Sequence, residues 1–456
     1  ANPDARAVIN FTPTLLEQID DYSSQIQEYF KDGRQIRDEM LENLVAVVLP
    51  SSPEKRLEII KHCLRANEDR LIKRYPQYQR LAEQARFLEE HPDAIIYLHD
   101  QYLADLLAWF HLAWMGETVR RTDTRISSLI EKGHDYTIND RLQILRVIGE
   151  LCSNVINRYR RLAERQQIEL SFTPYGHPIM PLLLDIESAR EAIPDASLPV
   201  CLNYPDGKER VDWHITRGIE VFQRYFGFPP AGCWPSEGSI SEETVRVLSS
   251  HGLSWLASGE TVLRNSLDGQ ATDADCIHRS YRFKESAINC FFRDDGLSDM
   301  IGFNYADWHA DDAVANMIHH LENIADSCRG GEDAVVSIIL DGENAWEYYP
   351  ENGYHFLHAL YRELARHDRI RLTTYSDFLK QNQNTGSLEK VVAGSWVYGT
   401  LSTWIGNEDK NTGWDMLCDA KKCVDEALAS GDYDQDERER IETQLAICEG
   451  SDWFWW

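Results

Sequence analysis

The sequence predicts an α/β protein whose core is a parallel sheet closed, or nearly closed, into a βα barrel. Three observations carry this reading. Short β-prone runs alternate with amphipathic helical segments from Ile168 onward, the pattern that parallel sheets require. Polar residues follow directly on the ends of those runs, at Thr173–His177, Glu237 and Asp341–Glu343. Between the first β-prone run and the rest lies a long block of purely helical texture, which reads as an insertion.

The elements follow in order. Ala7–Phe11 is strand-like and leads into a helical pattern around Leu15–Tyr29. From there to Gln167, Leu, Ile and Val recur at three- and four-residue spacing between Arg, Glu and Lys. The stretch Ala94–Trp114 is apolar but holds His99, Asp100 and Asp105, so it predicts a buried helix rather than a membrane span. Strands are then expected at Ile168–Phe172, Ala231–Trp234, Ser254–Ala257, Ala287–Arg293 and Ala334–Leu340, with a weaker one at Ile370–Leu372. Helices are expected at 209–225, 241–251, 312–327 and 354–367. The low-complexity run Gln381–Ser387 reads as a joint. These readings divide the chain into a catalytic barrel over 1–380, with a helical insertion at 30–167, and a helical region over 388–456. In the latter, Gly394–Gly406 precedes helical patterns at 413–430 and 436–449. The ending Asp452-Trp-Phe-Trp-Trp456 is too aromatic for a solvated tail, so it packs or the natural chain continues. The start, Ala1-Asn2-Pro3-Asp4, has neither an initiator Met nor a signal-peptide apolar core, as in the middle of a larger protein or at a processed end.

Composition narrows the partners. With 46 Lys plus Arg against 75 Asp plus Glu, the net charge of -29 repels phosphate backbones and anionic lipid, so neither nucleic acid nor membrane is expected. The ten cysteines show no CxxC pair and read as free, mostly buried thiols, which favours a reducing, cytoplasmic setting.

Two acids stand at strand ends. In Gly232-Cys-Trp-Pro-Ser-Glu237-Gly-Ser-Ile-Ser-Glu242-Glu243, Pro235 stops a strand and Ser241 caps a helix. Glu242 and Glu243 are explained by the helix dipole, whereas Glu237 lies in the turn between strand and helix. In Val335-Val-Ser-Ile-Ile-Leu340-Asp341-Gly342, an apolar β-branched run delivers Asp341 to the mouth of a buried strand. Burial there raises a carboxyl pKa, as a general acid requires. An ordinary loop acid and a simple Asp-Gly turn are the alternatives for the two residues taken singly. Taken together, they match the pair of carboxylates, about 5–5.5 Å apart, that a retaining glycosidase uses as nucleophile and acid/base. The 13 Trp and 20 Tyr, several of them near these loops (Trp234, Trp346, Trp396, Trp404), suit sugar faces, although an aromatic is singly more often core. His177, between Gly176 and Pro178 on a loop at the same mouth, suits a sugar hydroxyl or a structural role.

At Thr-Pro-Tyr-Gly-His-Pro, Trp-Pro-Ser-Glu-Gly and Asp-Gly-Glu-Asn-Ala-Trp the chain resembles glycoside hydrolase family 57, the α-amylase, glucanotransferase and amylopullulanase-like group. Phe292–Phe303 and Gly394–Gly406 add to the resemblance. It implies an incomplete (β/α)7 TIM-like barrel followed by a helical region, and a retaining double displacement with Glu237 as nucleophile and Asp341 as acid/base. It also implies that His177, Trp234, Arg293, Trp396 and Trp404 lie in substrate-contact segments. Glu343 and Trp346, beside Asp341, join the substrate-binding candidates; Glu343 either tunes Asp341 or is a solvated turn acid. The family needs no catalytic metal, and no cofactor is expected. One departure stands out: the family's first motif, a His-Gln-Pro on the opening strand, is absent, so a barrel stave is expected to be missing.

The expectation is therefore a retaining glycoside hydrolase acting on an oligo- or polysaccharide of α-glucan type. A 4-α-glucanotransferase or branching-type transglycosylase could use the same site. From another class, Asp307-Trp-His309-Ala-Asp311 offers metal-friendly residues to a polysaccharide deacetylase or mannosidase. No HExxH accompanies it, and the segment reads better as a helix start. A non-catalytic glycan-binding protein would keep the aromatics without needing the acids. Serine-hydrolase and nucleotide chemistry lack their motifs.

Overall fold

In the computed structural model, residues 2–267, 277–284, 286–328, 334–342, 344–382 and 385–455 are described. Seven strands form one sheet: β1 (Ala7–Phe11), β2 (Ile168–Phe172), β3 (Gly232–Cys233), β4 (Trp255–Ser258), β5 (Tyr281–Phe283), β6 (Asn289–Phe292) and β7 (Gly386–Leu388). Their spatial order is β1-β2-β3-β4-β6-β5-β7, parallel throughout except for the antiparallel β5–β6 pair. The register sets Phe11 beside Phe172, Phe172 beside Cys233, and Ser258 beside Phe292. Thr173, Trp234, Gly259 and Arg293 consequently leave the sheet at one common end, where the loops of a βα barrel build their site.

β4 and β6 are buried along their whole length because helices cover the sheet. The helix Gly207–Phe226 shows why: Val211, Ile215, Gly218 and Phe222 recur at helical spacing and form its buried stripe. Gly218 lets that helix approach β2, since a Cβ there would come within 3.0 Å of the Phe172 ring.

Between β1 and β2 the chain is helical from Pro13 to Glu164, with a core of its own around Tyr78, Leu103, Trp109 and Leu145. The apolar stretch at 94–114 is not one helix. A short 3-10 turn, Pro92–Tyr97, precedes the helix Asp100–Trp114, and His99 accepts the Gln101 N–H between them. Asp105 is buried in this helix because it accepts the backbone N–H groups of Asp135 at 3.0 Å and Tyr136 at 2.8 Å. Arg70 ties the helical block to the loops at the sheet's end, donating to the carbonyls of Tyr348 and Ala306. Helices Glu408–Ala429 and Gln435–Cys448 follow β7, the second opened by a capping box between Asp434 and Glu437. No helix among the described residues is long and apolar enough to cross a membrane.

Two strand expectations need correction. Ala334–Leu340 forms no ladder among the described residues; a single parallel bridge joins Ser337 to Arg293. Side chains take over the remaining pairing there: Ser298 Oγ accepts the Ile339 N–H, and Arg293 donates to the Ile339 carbonyl. Ile370–Leu372 is a loop. Conversely, β5 and β7 are three-residue strands that alternation did not reveal, and β7 occupies the end of the run read as a joint. Gly386 makes that pairing possible, for a Cβ there would lie 2.7 Å from the Tyr281 ring.

Candidate active site

Glu237 lies just beyond β3, in a turn with φ 55° and ψ 26°, the left-handed region that a side chain rarely adopts. Several neighbours hold it there. Ser258 Oγ donates to the Gly238 carbonyl at 2.6 Å, and the Trp396 N–H donates to the Glu237 carbonyl at 3.2 Å. Ile240 and Gly394 form an antiparallel bridge beneath. Gly238 has no room for a side chain, since a Cβ would lie 2.8 Å from the Trp234 ring. The Glu237 side chain is only partly exposed. Trp396 Nε1 donates to Glu237 Oε2 at 2.9 Å. Burial raises the Glu237 pKa above the ordinary carboxyl range, and the negative charges of Asp341 and Asp452 add to this. The indole N–H groups of Trp396 and Trp455 oppose it by favouring the anion.

The charge of Asp341, two residues beyond the Ile339 carbonyl that Arg293 binds, also acts on Glu237. Asp341 is exposed, contrary to the expectation of burial. The cause is the missing ladder: the chain leaves the sheet after Ser337 and Ile339, and Asp341 emerges into solvent two residues later. The buried acid of the two is Glu237.

Arg293, 7% exposed, links the two segments. Its Nε donates to the Ile339 carbonyl at 2.9 Å, while Nη1 and Nη2 bind Asp295 at 2.8 Å and Asp299 at 2.6 Å. Its guanidinium also sits 5.3 Å from the Trp396 ring centre, a cation–π contact. Trp396 in turn meets Trp234 edge to face at 5.1 Å. Trp234, Trp396, Arg293 and Glu237 thus form one packed group.

The other candidates divide. His177 adopts φ 59° and pairs through Nδ1 with Ser451 Oγ at 2.7 Å. Burial lowers its pKa and keeps it neutral, against the pull of the Asp452 charge. Trp404 is fully buried, and its ring meets Trp455 at 5.8 Å, so it is a wall behind the site rather than an open platform. Trp346 packs on Tyr349 at 5.4 Å within a hydrophobic cluster that includes Ile301, Tyr305 and Phe356. Glu343 lies outside the described residues. His309 and Asp311 are exposed at the start of the helix Ala310–Ser327, and no group of three metal-ligating side chains occurs among the described residues. Sequence reasoning missed Asp452 and Trp455 as neighbours of Glu237; their signal was the aromatic ending itself.

The glycosyl hydrolase family 57 matches residues 11–391. No curated protein matches the sequence. Solved structures share the fold at low identity. A family 57 branching enzyme from Thermococcus kodakaraensis, crystallised with glucose and additives, aligns at TM-score 0.55 and 15% identity over 90% of this chain and 82% of its own. A family 57-type branching enzyme from Pyrococcus horikoshii aligns at TM-score 0.56 and 16% identity over 99% and 85%. An alpha-amylase from Thermotoga maritima aligns at 0.55 and 13% over 98% and 78%. The seven-stranded, mostly parallel sheet with its helices is accordingly the (β/α)7 barrel of these enzymes. A match covering most of the sequence, together with that barrel, makes this chain a glycosidase belonging to glycosyl hydrolase family 57.

Proposed function

We propose that this protein cleaves α-glucan chains by a retaining double displacement, with Glu237 as nucleophile and Asp341 as acid/base. The reading is supported by the line of contacts that runs from Glu237 through Trp396 and Arg293 to the Ile339 carbonyl, two residues before Asp341. Glu237 attacks the anomeric carbon while the Asp341 proton passes to the leaving oxygen. Asp341 then removes a proton from the acceptor hydroxyl, which displaces Glu237 and releases the sugar. The indole donors of Trp396 and Trp455 favour the Glu237 anion, against the burial and the Asp341 charge that raise its pKa. Exposure of Asp341 suits a group that takes its second proton from an acceptor hydroxyl arriving from solvent.

Trp234 and Trp396 are the aromatic faces nearest the nucleophile, and His177 is a neutral donor on the same mouth. The barrel over 1–380, its insertion at 30–167 and the helical region over 388–456 are the corresponding domain reading. Nine described cysteines are free, which favours a reducing, cytoplasmic setting. Two of the similar structures are branching enzymes and one is an amylase, so a glucan hydroxyl competes with water as acceptor in this reading. Product analysis on maltooligosaccharides, in the presence of EDTA, tests it with Glu237→Gln and Asp341→Asn beside the wild type. Chelator-resistant cleavage or disproportionation lost in both variants is expected, and the product ladder separates hydrolysis from transfer. Activity that returns only with added metal, or that survives both substitutions, would overturn the assignment.

A further inference from the structure

We propose that Glu449 is a positioning residue that latches the 449–455 segment onto the Tyr175–His177 loop and so brings the Trp455 indole to Glu237. The proposal rests on the reading of Glu237 as the nucleophile.

Glu449 is a carboxylate with no exposed side-chain surface. An unpaired charge in such a place would be costly. It is instead met by four donor bonds: Tyr204 Oη at 2.7 Å, Arg210 Nε at 2.9 Å, Arg210 Nη2 at 2.8 Å and His214 Nε2 at 2.7 Å. These donors hold its carboxyl down at about 2. The other ring nitrogen of His214 donates to the Tyr175 carbonyl, and the Tyr175 N–H donates to the His214 carbonyl at 2.9 Å. A continuous chain of bonds therefore runs from Glu449 to Tyr175, two residues before His177.

The residues after Glu449 continue the contact. Gly450 forms an antiparallel bridge with Pro178, and the Ser451 N–H donates to the His177 carbonyl at 3.0 Å. The fit is close: a Cβ on Gly450 would lie 2.6 Å from the Gly176 oxygen, and one on Gly176 would lie 2.6 Å from the Ala446 oxygen. Beyond this latch Phe454 packs on Trp414 at 5.3 Å and Trp455 on Trp404 at 5.8 Å. From there the Trp455 indole N–H favours the Glu237 anion, as Trp396 does, while Asp341 and Asp452 oppose it and Arg293 lies behind the Trp396 ring.

The test uses the full chain with Glu449→Gln, which keeps shape and removes charge, and Trp455→Phe, which keeps the ring and removes the donor. Hydrogen exchange and the pH profile of kcat on maltooligosaccharides are measured for both. In Glu449→Gln, amides of 446–455 and 175–178 are expected to exchange at least roughly tenfold faster. The acidic limb of kcat is expected to move to higher pH, with KM changed far less than kcat. Trp455→Phe is expected to move the same limb while leaving exchange unchanged. Unaltered exchange in Glu449→Gln, or an unmoved limb in Trp455→Phe, overturns the proposal. If Glu449→Gln does not fold, Trp455→Phe decides alone. A wild type without activity on any glucan would sink the glycosidase reading and, with it, the role at Glu237. The latch itself would then stand or fall on the exchange result.

Discussion

Trp396 holds Glu237 twice: its indole N–H donates to Oε2 at 2.9 Å and its backbone N–H to the Glu237 carbonyl at 3.2 Å. Trp396→Phe keeps the backbone bond and the ring contact with Trp234 but removes the side-chain donor. A hydrogen bond to a charged group contributes about 1.5–3 kcal/mol, so kcat is expected to fall roughly 10- to 100-fold. The Glu237 pKa should rise further, moving the acidic limb of the rate profile upward. A rate profile from pH 4 to 8 checks both.

Glu237 also makes a stability prediction of unusual sign. Its folded-state pKa lies above the ordinary carboxyl value of 4.5, so the native state binds the proton more tightly than the unfolded chain. Stability falls as pH rises from that value through the folded pKa, because ionisation is penalised by burial and by Asp341. Glu237→Gln should therefore melt higher than the wild type at pH 7, with the gap closing below pH 4. Calorimetry at the two pH values decides it.

Glu449 behaves in the opposite way. Its pKa is lowered from 4.5 to about 2, so its contribution is complete above the unfolded value and is lost as pH falls through about 2. Arg210→Ala leaves that carboxylate buried with His214 and Tyr204 alone. Removing one member of a buried pair costs about 3–5 kcal/mol, measurable as a shift of the urea midpoint at pH 7.

Arg293→Lys tests the link between the two acid-bearing segments. A single ammonium cannot reproduce the fork that binds Ile339, Asp295 and Asp299. The expectation is a roughly tenfold or greater loss of kcat at little cost in KM, since Asp341 loses its anchor two residues upstream. A larger rise in KM than fall in kcat would instead make Arg293 a substrate contact.

Gly232→Ala probes the sheet below. A Cβ at Gly232 would overlap the Trp255 ring, lying 2.0 Å from its Cε2 atom. Trp255 is fixed by Glu169, which accepts its indole N–H at 2.7 Å. Overpacking of this kind costs about 1–3 kcal/mol, to be read as a lowered melting temperature.

Legibility varies with physical cause. β2 is legible at its observed bounds, Ile168–Phe172, because a helical block and a Thr-Pro turn punctuate it sharply. The helices Gly207–Phe226 and Tyr354–Arg366 are visible through their apolar stripes. β5 and β7 are not, because three residues carry too little periodicity and Gly386-Ser-Leu sits in a polar, low-complexity run. Ala334–Leu340 has the composition of a buried strand, but its partners are the Arg293 and Ser298 side chains. Reading it as a strand places burial at Asp341 instead of Glu237. The proximity of Glu449, Asp452 and Trp455 to the Tyr175–Glu237 region is illegible because no local pattern records contacts between residues so far apart in the chain.

The turn that carries Glu237 is cross-braced to Ser258, Trp396 and Gly394, whereas Asp341 stands past a single backbone bridge at Ser337. The two supports therefore differ in evolvability. Substitutions around Gly232–Gly238 disturb several braces at once, while the described stretch leading to Asp341 meets β6 through a single bridge. Directed libraries that leave the Glu237 turn intact are best spent on the Asp341 side.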